Sequence, residues 1–249
     1  MLAILKERRQ ITDRDHYYLI ECPEIAAAAK PGQFVEIKVC EGPDPYLRRP
    51  ISIFSADDRH IALLVRTVGR GTTLMEQWQP GSAVDVLGPL GNGFDWQPND
   101  RNLLLVGGGI GVAPLHFLAE RLCSENRRVT LLFSPRRDSQ LIGSFLSGCQ
   151  TQMHFAENRA EIPAEMTALL TAPFDRVFAC GPEGMMKLVA DVGLAHRLPM
   201  QISMEANMAC GIGICLGCAI PVRTEKGIVY KKVCHEGPVF SGEELIFND

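Results

Sequence analysis

The chain has 249 residues, 46% of them apolar and 22% charged, a globular composition with enough core for two modest domains or one large domain with a small appendage. A formal net charge of −4 and the lack of a polybasic run leave no footprint for nucleic acid or for an anionic membrane surface. The start "MLAILKERRQ" has no adequate secretory h-region, and the longest mostly apolar stretch, near 103–119, is broken by glycines, a proline and a histidine, so the chain reads as soluble and cytoplasmic.

Three zones follow in order. In the first, "HYYLIE", "QFVEIKV", "PISIF", "HIALLV" and "AVDVLG" are short strand-like runs separated by turn residues, with Pro31-Gly32 and Pro80-Gly81 among them. Their even spacing predicts an antiparallel barrel or sandwich. After "QPNDRN" the pattern alternates: a strand at "NLLLV", a glycine loop, a helix to about 125, a strand at "VTLLF", a further helix, a strand at "MHF", a helix around 164–171, a strand at "RVFAC" and a helix from about 183. This βαβ series predicts a parallel sheet covered by helices. The last zone holds a cysteine-rich loop and two strands, "AIPVR" and "GIVYKKV", about the turn "TEKG".

Each zone carries its own candidate chemistry. In "LRRPISIF" Arg49 and Ser52 fall on alternate sides of an extended strand, so both reach one ligand only if Pro50 bends it. As isolated strings, Arg48-Arg49 reads as the usual solvated charge and Gly71-Thr72 as the usual turn. "LLLVGGGIGVAPL" at 103–115 runs from a strand through glycines into a helix start, which presents N–H groups and the positive end of a helix dipole to a phosphate. No register of Gly107, Gly108, Gly109 and Gly111 meets G-x-G-x-x-G/A, and the strand near 133 ends in "SPRRD" without an acidic tip, so a plain tight turn competes with nucleotide binding. "ACGPEGMM" repeats the strand-to-helix junction and places Cys180 and Gly181 at the carboxyl end of the sheet, where ligands sit; Cys180 reads otherwise as a small packing residue. Arg136 and Arg137 suit a 2′-phosphate and Asp138 suits a ribose, which leaves NAD and NADP both open.

Cys210, Cys215 and Cys218 read C-x4-C-x2-C, and Cys234 follows after fifteen intervening residues. That is the plant-type [2Fe-2S] spacing, with glycines at 211, 213 and 217 that let the backbone turn and bring N–H groups to sulfur. A structural zinc site usually takes two C-x2-C knuckles, of which only one is present; zinc and unligated thiols stay as the alternatives. Cys22, Cys40, Cys123 and Cys149 read as core or incidental reduced thiols, without disulfides.

Taken together, "RRPISI", "GPLGNGF", "GGGIGVAPL", "CGPEGMM", "MEANMACGIGICLGCAIPV" and "VCHEGPVF" stand in the order of the ferredoxin-NADP reductase superfamily, which the chain resembles over nearly its whole length. Its C-terminal third resembles, within that group, the electron-transfer subunits of class 1B dihydroorotate dehydrogenase. The resemblance implies an FAD-binding β-barrel domain at 1–98, an NAD-binding α/β domain at 99–203 and a [2Fe-2S] domain at 204–249. It places Arg49, Pro50, Ile51 and Ser52 in the flavin motif, Arg49 near the pyrophosphate and Ser52 near the isoalloxazine. Val65, Arg66 and Thr67 match the second FAD segment, and Gly71, Thr72 and Thr73 the phosphate-binding turn. Gly107, Gly108, Gly109, Gly111 and Pro114 would receive the nicotinamide dinucleotide, while Cys180, Gly181 and Pro182 would border its nicotinamide. Ser52 and Cys180 are the implied catalytic residues, and Cys210, Cys215, Cys218 and Cys234 the cluster ligands. Ile51 stands where many members carry tyrosine, and the chain ends on "IFND", so aromatic stacking on the flavin is expected from neither place.

The implied activity is a relay from FMN of a catalytic dihydroorotate dehydrogenase subunit through the cluster and FAD to NAD, in pyrimidine biosynthesis, with two copies of each subunit. The dihydroorotate-oxidising subunit of that family is a TIM barrel, which takes about 250 residues by itself. No dihydroorotate site is therefore expected in this chain. The alternatives are an NAD(P)H-dependent flavin and iron-sulfur reductase subunit serving a sulfide, sulfite or ferredoxin system, and, farther off, a nucleotide-sensing module with a zinc-stapled tail.

Overall fold

The computed structural model describes residues 1–134 and 151–247. The helix expected after the strand at "VTLLF", together with Arg136, Arg137, Asp138 and Cys149, lies outside the described residues.

Six strands close a barrel: β1 (Leu2–Gln10), β2 (Asp15–Glu21), β3 (Phe34–Lys38), β4 (Arg49–Ala56), β5 (His60–Arg66) and β6 (Ala83–Leu90). Their order is β1-β2-β5-β4-β3-β6, and every neighbouring pair is antiparallel. β1 was not expected from sequence. Its inward Ala3 and Leu5 alternate with exposed Leu2 and Ile4, and its second half is charged, so the periodic signal is short. β5 is apolar at consecutive positions because both of its faces are covered. Ile61, Leu63 and Val65 fill the barrel, while Ala62 and Leu64 join Phe54 of β4 in a second core shared with the next unit. Two short helices, α1 (Pro23–Ala28) and α2 (Arg70–Met75), sit in the barrel's connections.

The second unit is a six-stranded sheet in the order β14-β11-β10-β7-β8-β9. β7 (Asn102–Gly108), β8 (Arg128–Ser134), β9 (Thr151–Phe155), β10 (Arg176–Cys180) and β11 (Met200–Ser203) run parallel. β14 (Val239–Ser241) pairs antiparallel with β11, so the expected parallel sheet carries an edge strand supplied from beyond the cysteine loop. β12 (Ala219–Thr224) and β13 (Gly227–Lys232) form the expected hairpin. Helices α3 (Val112–Ser124), α4 (Ile162–Leu169) and α5 (Glu183–Ala195) flank the strands, with single 3-10 turns at Gly109–Gly111 and Arg159–Glu161. β7 is buried on both sides: Leu103 and Leu105 pack with Phe178 and α3, whereas Leu104 and Val106 pack with Met186 and Val189 of α5. Cys123 on α3 is disulfide-bonded, contrary to the expectation of reduced thiols. Disulfide formation depends on spatial approach, which cysteine count and compartment do not report.

Barrel and sheet are joined chiefly through α3, which lies on β4. The His116 ring stacks on Phe54 with centroids 3.9 Å apart and an interplanar angle of 9°. Its Nδ1 lies 3.1 Å from the Phe54 carbonyl oxygen. Both side chains are buried, so Phe54→Ala leaves a void between the units as well as losing transfer energy. An expected cost of about 3–5 kcal/mol follows, read as a lower denaturation midpoint. A loss below about 1 kcal/mol would show that this contact does not hold the units together.

Candidate functional site

A cavity of about 360 Å³ opens where the barrel, the sheet and the segment leading into the cysteine loop meet. From the barrel come Arg49, Pro50, Ile51 and Ser52 of β4, Val65 and Arg66 of β5, and Thr72 of α2. The sheet contributes Gly111 and Pro114 around the start of α3, and Cys180 at the tip of β10. Sequence reasoning assigned no role to Ser203, Met204, Ala206 and Met208, which run along the cavity toward the cysteine loop. The available signal was the position of "MEANM", between a strand of the sheet and the first cysteine.

The two arginines of the cavity are held differently. Arg66 makes a bidentate pair with buried Asp15, Nε to Oδ1 at 2.7 Å and Nη2 to Oδ2 at 3.1 Å. Arg49 Nη1 donates to the carbonyl oxygens of Leu47 and Arg48, at 2.5 and 3.3 Å, and its guanidinium lies close against Gly71, where a Cβ would collide with it. Arg48 is not a solvated charge: Nη2 pairs with Asp85 Oδ2 at 2.7 Å and ties β4's approach to β6. Thr72 Oγ1 accepts N–H bonds from Val68 and Gly69, at 3.0 and 3.2 Å, and so closes the turn before α2. Thr67 and Thr73 turn their hydroxyls elsewhere, Thr67 donating to Glu76 and Thr73 to the Gly69 carbonyl oxygen.

The glycine loop and the Cys180 turn interlock. A Cβ on Gly111 would stand 2.6 Å from the Cys180 carbonyl carbon and 2.8 Å from the Gly181 nitrogen. Gly107 and Gly108 end β7 in buried positions, with Gly108 packed against Met185 and Pro182, the residue that opens α5. Gly109 sits beside Arg66, and Gly181 faces Gly108. Burial raises the Cys180 thiol above its ordinary range, partly offset by a hydrogen bond with Ser203, its register partner on β11. The cavity therefore meets a neutral thiol there, and Ser52 from the opposite wall.

The cysteine loop begins two residues beyond Met208. Among the described residues, no three His, Cys, Asp or Glu side chains gather about a single ion position. Backbone Cys215 N–H donates to Cys210 Sγ and backbone Cys234 N–H to Cys218 Sγ, each at 3.4 Å, and the side chains of Cys210 and Cys215, and of Cys218 and Cys234, also hydrogen-bond each other, so the thiols stand as two pairs. Gly213 N–H donates to Cys234 Sγ at 3.1 Å. Tetrahedral zinc asks for four ligands on one ion, whereas a two-iron cluster asks for a pair on each iron. The donor set and its N–H···S bonds fit the cluster. Backbone N–H groups of Cys215 and Ile212 hold the Cys210 thiol down to about 6, a thiolate suited to ligation. Burial, then the Cys218 side chain, push the Cys234 thiol up. Below the loop lies Glu36 of β3, 1% exposed, its carboxyl oxygens without a hydrogen-bond partner among the described residues. Its carboxyl is pushed up to about 7 by burial, against the opposing pull of Arg48.

The "GPLGNGF" string, left without a role in the sequence, binds this last zone to the barrel. Asn92 Nδ2 donates to the His235 and Glu236 carbonyl oxygens at 3.2 and 3.1 Å, and its backbone N–H donates to Gly237 O at 2.6 Å.

Residues 205–246 match the iron-sulfur cluster binding domain of dihydroorotate dehydrogenase B. A relative from Geobacillus thermodenitrificans, described as dihydroorotate dehydrogenase B (NAD(+)), electron transfer subunit, is 37% identical over 248 residues, covering 96% of this chain and 95% of its own. The chain belongs to the family of dihydroorotate dehydrogenase B electron transfer subunits. A second member, from Caldanaerobacter subterraneus subsp. tengcongensis, is 36% identical over 220 residues, 87% of each chain. Among solved structures, one of an NADH-dependent reduced ferredoxin-NADP oxidoreductase superposes with a TM-score of 0.85 at 27% identity, covering 99% of this chain and 90% of that one. Phthalate dioxygenase reductase shares the fold, with a TM-score of 0.62 at 17% identity, over 94% of this chain and 77% of that one. Membership of this family brings FAD, NAD and a [2Fe-2S] centre as the cofactors of the chain. No helix among the described residues is long and apolar enough to cross a membrane.

Proposed function

We propose that this chain relays electrons between a catalytic dihydroorotate dehydrogenase subunit and NAD, in pyrimidine biosynthesis and in the cytoplasm. The observation that carries the reading is the continuity of the site: residues 203–208 border the cavity and run directly into the paired thiols. In this reading the barrel at 1–98 holds FAD, the unit at 99–203 takes NAD, and 204–249 holds the cluster. When bound, the cluster supplies one-electron transfer and FAD the conversion to hydride exchange with NAD. The protein's part is placement. Arg49 offers a cation to the FAD pyrophosphate beside the Gly71 turn, and Ser52 presents a hydroxyl to the isoalloxazine. Cys180, held neutral by burial, and Pro182 border the nicotinamide, while Ile51, Val65 and Met204 help exclude water. The glycine loop leads into the start of α3, whose N-terminal end would favour a phosphate.

The dihydroorotate site belongs to the partner, which carries FMN, in an assembly of two copies of each chain. Its docking face is the apolar rim of the cysteine loop. Ile214 is 75% and Leu216 65% exposed there, and Ile212 also faces outward. Exposed apolar residues clustered about a redox loop suit a standing interface. Ile214→Asp is expected to prevent co-purification of the catalytic subunit while iron and flavin contents stay unchanged; an intact complex would move the interface elsewhere. The reading as a whole is tested on anaerobically purified protein by assaying iron, sulfide, zinc and flavin and adding NADH. One cluster and one FAD per chain, bleached by NADH, support it. Zinc without flavin defeats it.

A second reading, a reductase subunit serving another acceptor, is favoured by one observation, the close superposition on the ferredoxin-NADP oxidoreductase. Recovery of a different oxidoreductase as the stoichiometric partner would select it.

A further inference from the structure

The barrel wall under the cysteine loop carries a carboxyl in a place suited to an apolar side chain. On β3, Val35 and Ile37 point into the barrel core, so Phe34 and Glu36 point outward. Phe34 joins the apolar cluster that contains Cys218 and Cys234. Glu36 lies beneath the first turn of the same loop. A Cβ on Gly211, whose φ is +67°, would stand 2.6 Å from Glu36 Cγ and 2.8 Å from its Cδ. The turn beside Cys210 is thus seated directly on this side chain.

Among the described residues no group hydrogen-bonds the carboxyl, and Arg48 and Arg49 act on it only through their charge. Both of its oxygens are buried and without hydrogen-bond partners among the described residues. The nearby Arg48 is committed to Asp85, by the ion pair at 2.7 Å and a bond to the Asp85 carbonyl oxygen at 3.1 Å, and reaches only the backbone carbonyl of Glu36, at 3.4 Å. A buried, unpaired carboxyl opposes folding, whereas a leucine would fill a similar volume without that cost. The group that stands to feel it is the one held by the thiols, because charges interact strongly where water is excluded.

We propose that Glu36, a residue of the flavin barrel, is a positioning residue for the iron-sulfur centre: it seats the Gly211 turn and sets the field in which the centre accepts its electron. The inference rests on the assignment of Cys210, Cys215, Cys218 and Cys234 as ligands. When ionised, this side chain adds negative charge beside the centre and disfavours a further electron, so its removal raises the centre's midpoint potential.

The test uses the full chain with its cofactors, as wild type, Glu36→Gln and Glu36→Leu. Iron, sulfide and FAD are assayed, and the cluster and flavin midpoints are followed by redox titration with electron paramagnetic resonance from neutral to alkaline buffer, which favours the ionised carboxyl. The expected result is an upward shift of the cluster midpoint in iron-replete Glu36→Gln, with the flavin midpoint unmoved. Loss of iron from Glu36→Leu alone, beside a shifted Glu36→Gln, supports the seating role as well. An unchanged cluster midpoint in Glu36→Gln overturns the proposal, as does loss of iron from both variants, which would make the residue structural only. Wild-type chain without iron and sulfide would defeat the ligand assignment instead.

Discussion

Replacing Cys215 with alanine is expected to remove the iron-sulfur centre and to reduce dihydroorotate-dependent NAD reduction in the complex to background, while NADH oxidation with an artificial acceptor survives. Cys215 is exposed and belongs to none of the apolar cores, so its loss withdraws a ligand without opening a void. The cavity lined by Arg49, Ser52 and Cys180 keeps its walls, and flavin content should match wild type. The two half-reactions then separate: the flavin and nicotinamide half persists, and the half that depends on the thiol pairs fails. Coupled activity retained in a variant shown to be free of iron would sink the relay.

Gly111→Val is expected to do the converse. Any side chain at this position meets the backbone of Cys180 and Gly181, which cannot turn aside as a flexible side chain would. The glycine loop must then move off the Cys180 turn. Displacements of about 1 Å at a reacting geometry cost on the order of a hundredfold in rate, and overpacking adds about 1–3 kcal/mol of destabilisation. We expect kcat/KM for NADH with an artificial acceptor to fall at least that far, while dithionite still reduces flavin and cluster. Undiminished NADH turnover would show that the two loops need not interlock for hydride exchange.

Much of the architecture was legible in the sequence, for reasons visible in particular elements. "HIALLV" and "NLLLV" stand out because both faces of β5 and of β7 are buried, which makes their apolar runs continuous. The cysteine loop announces itself through spacing alone. What stayed hidden depends on distant partners. β14 has three residues and is a strand only because β11 lies beside it. Glu36 reads as the polar member of an alternating strand, and nothing local says that a loop from the other end of the chain will cover it. Asn92 sits in an ordinary glycine-rich turn until the carbonyls of His235 and Glu236 arrive over it. The Cys123 disulfide was missed for the same reason.

The cysteine loop leaves the sheet from β11 and returns to it as β14, on the neighbouring position, with Asn92 fastening the return to the barrel. Both ends of the loop are thereby sewn into one body. A redox carrier on a flexible tether must swing between donor and acceptor, and its turnover slows as the solvent thickens. Here the span between thiol pairs and cavity is fixed when the chain folds, so internal transfer should be indifferent to viscosity, and only the arrival of NAD should feel it.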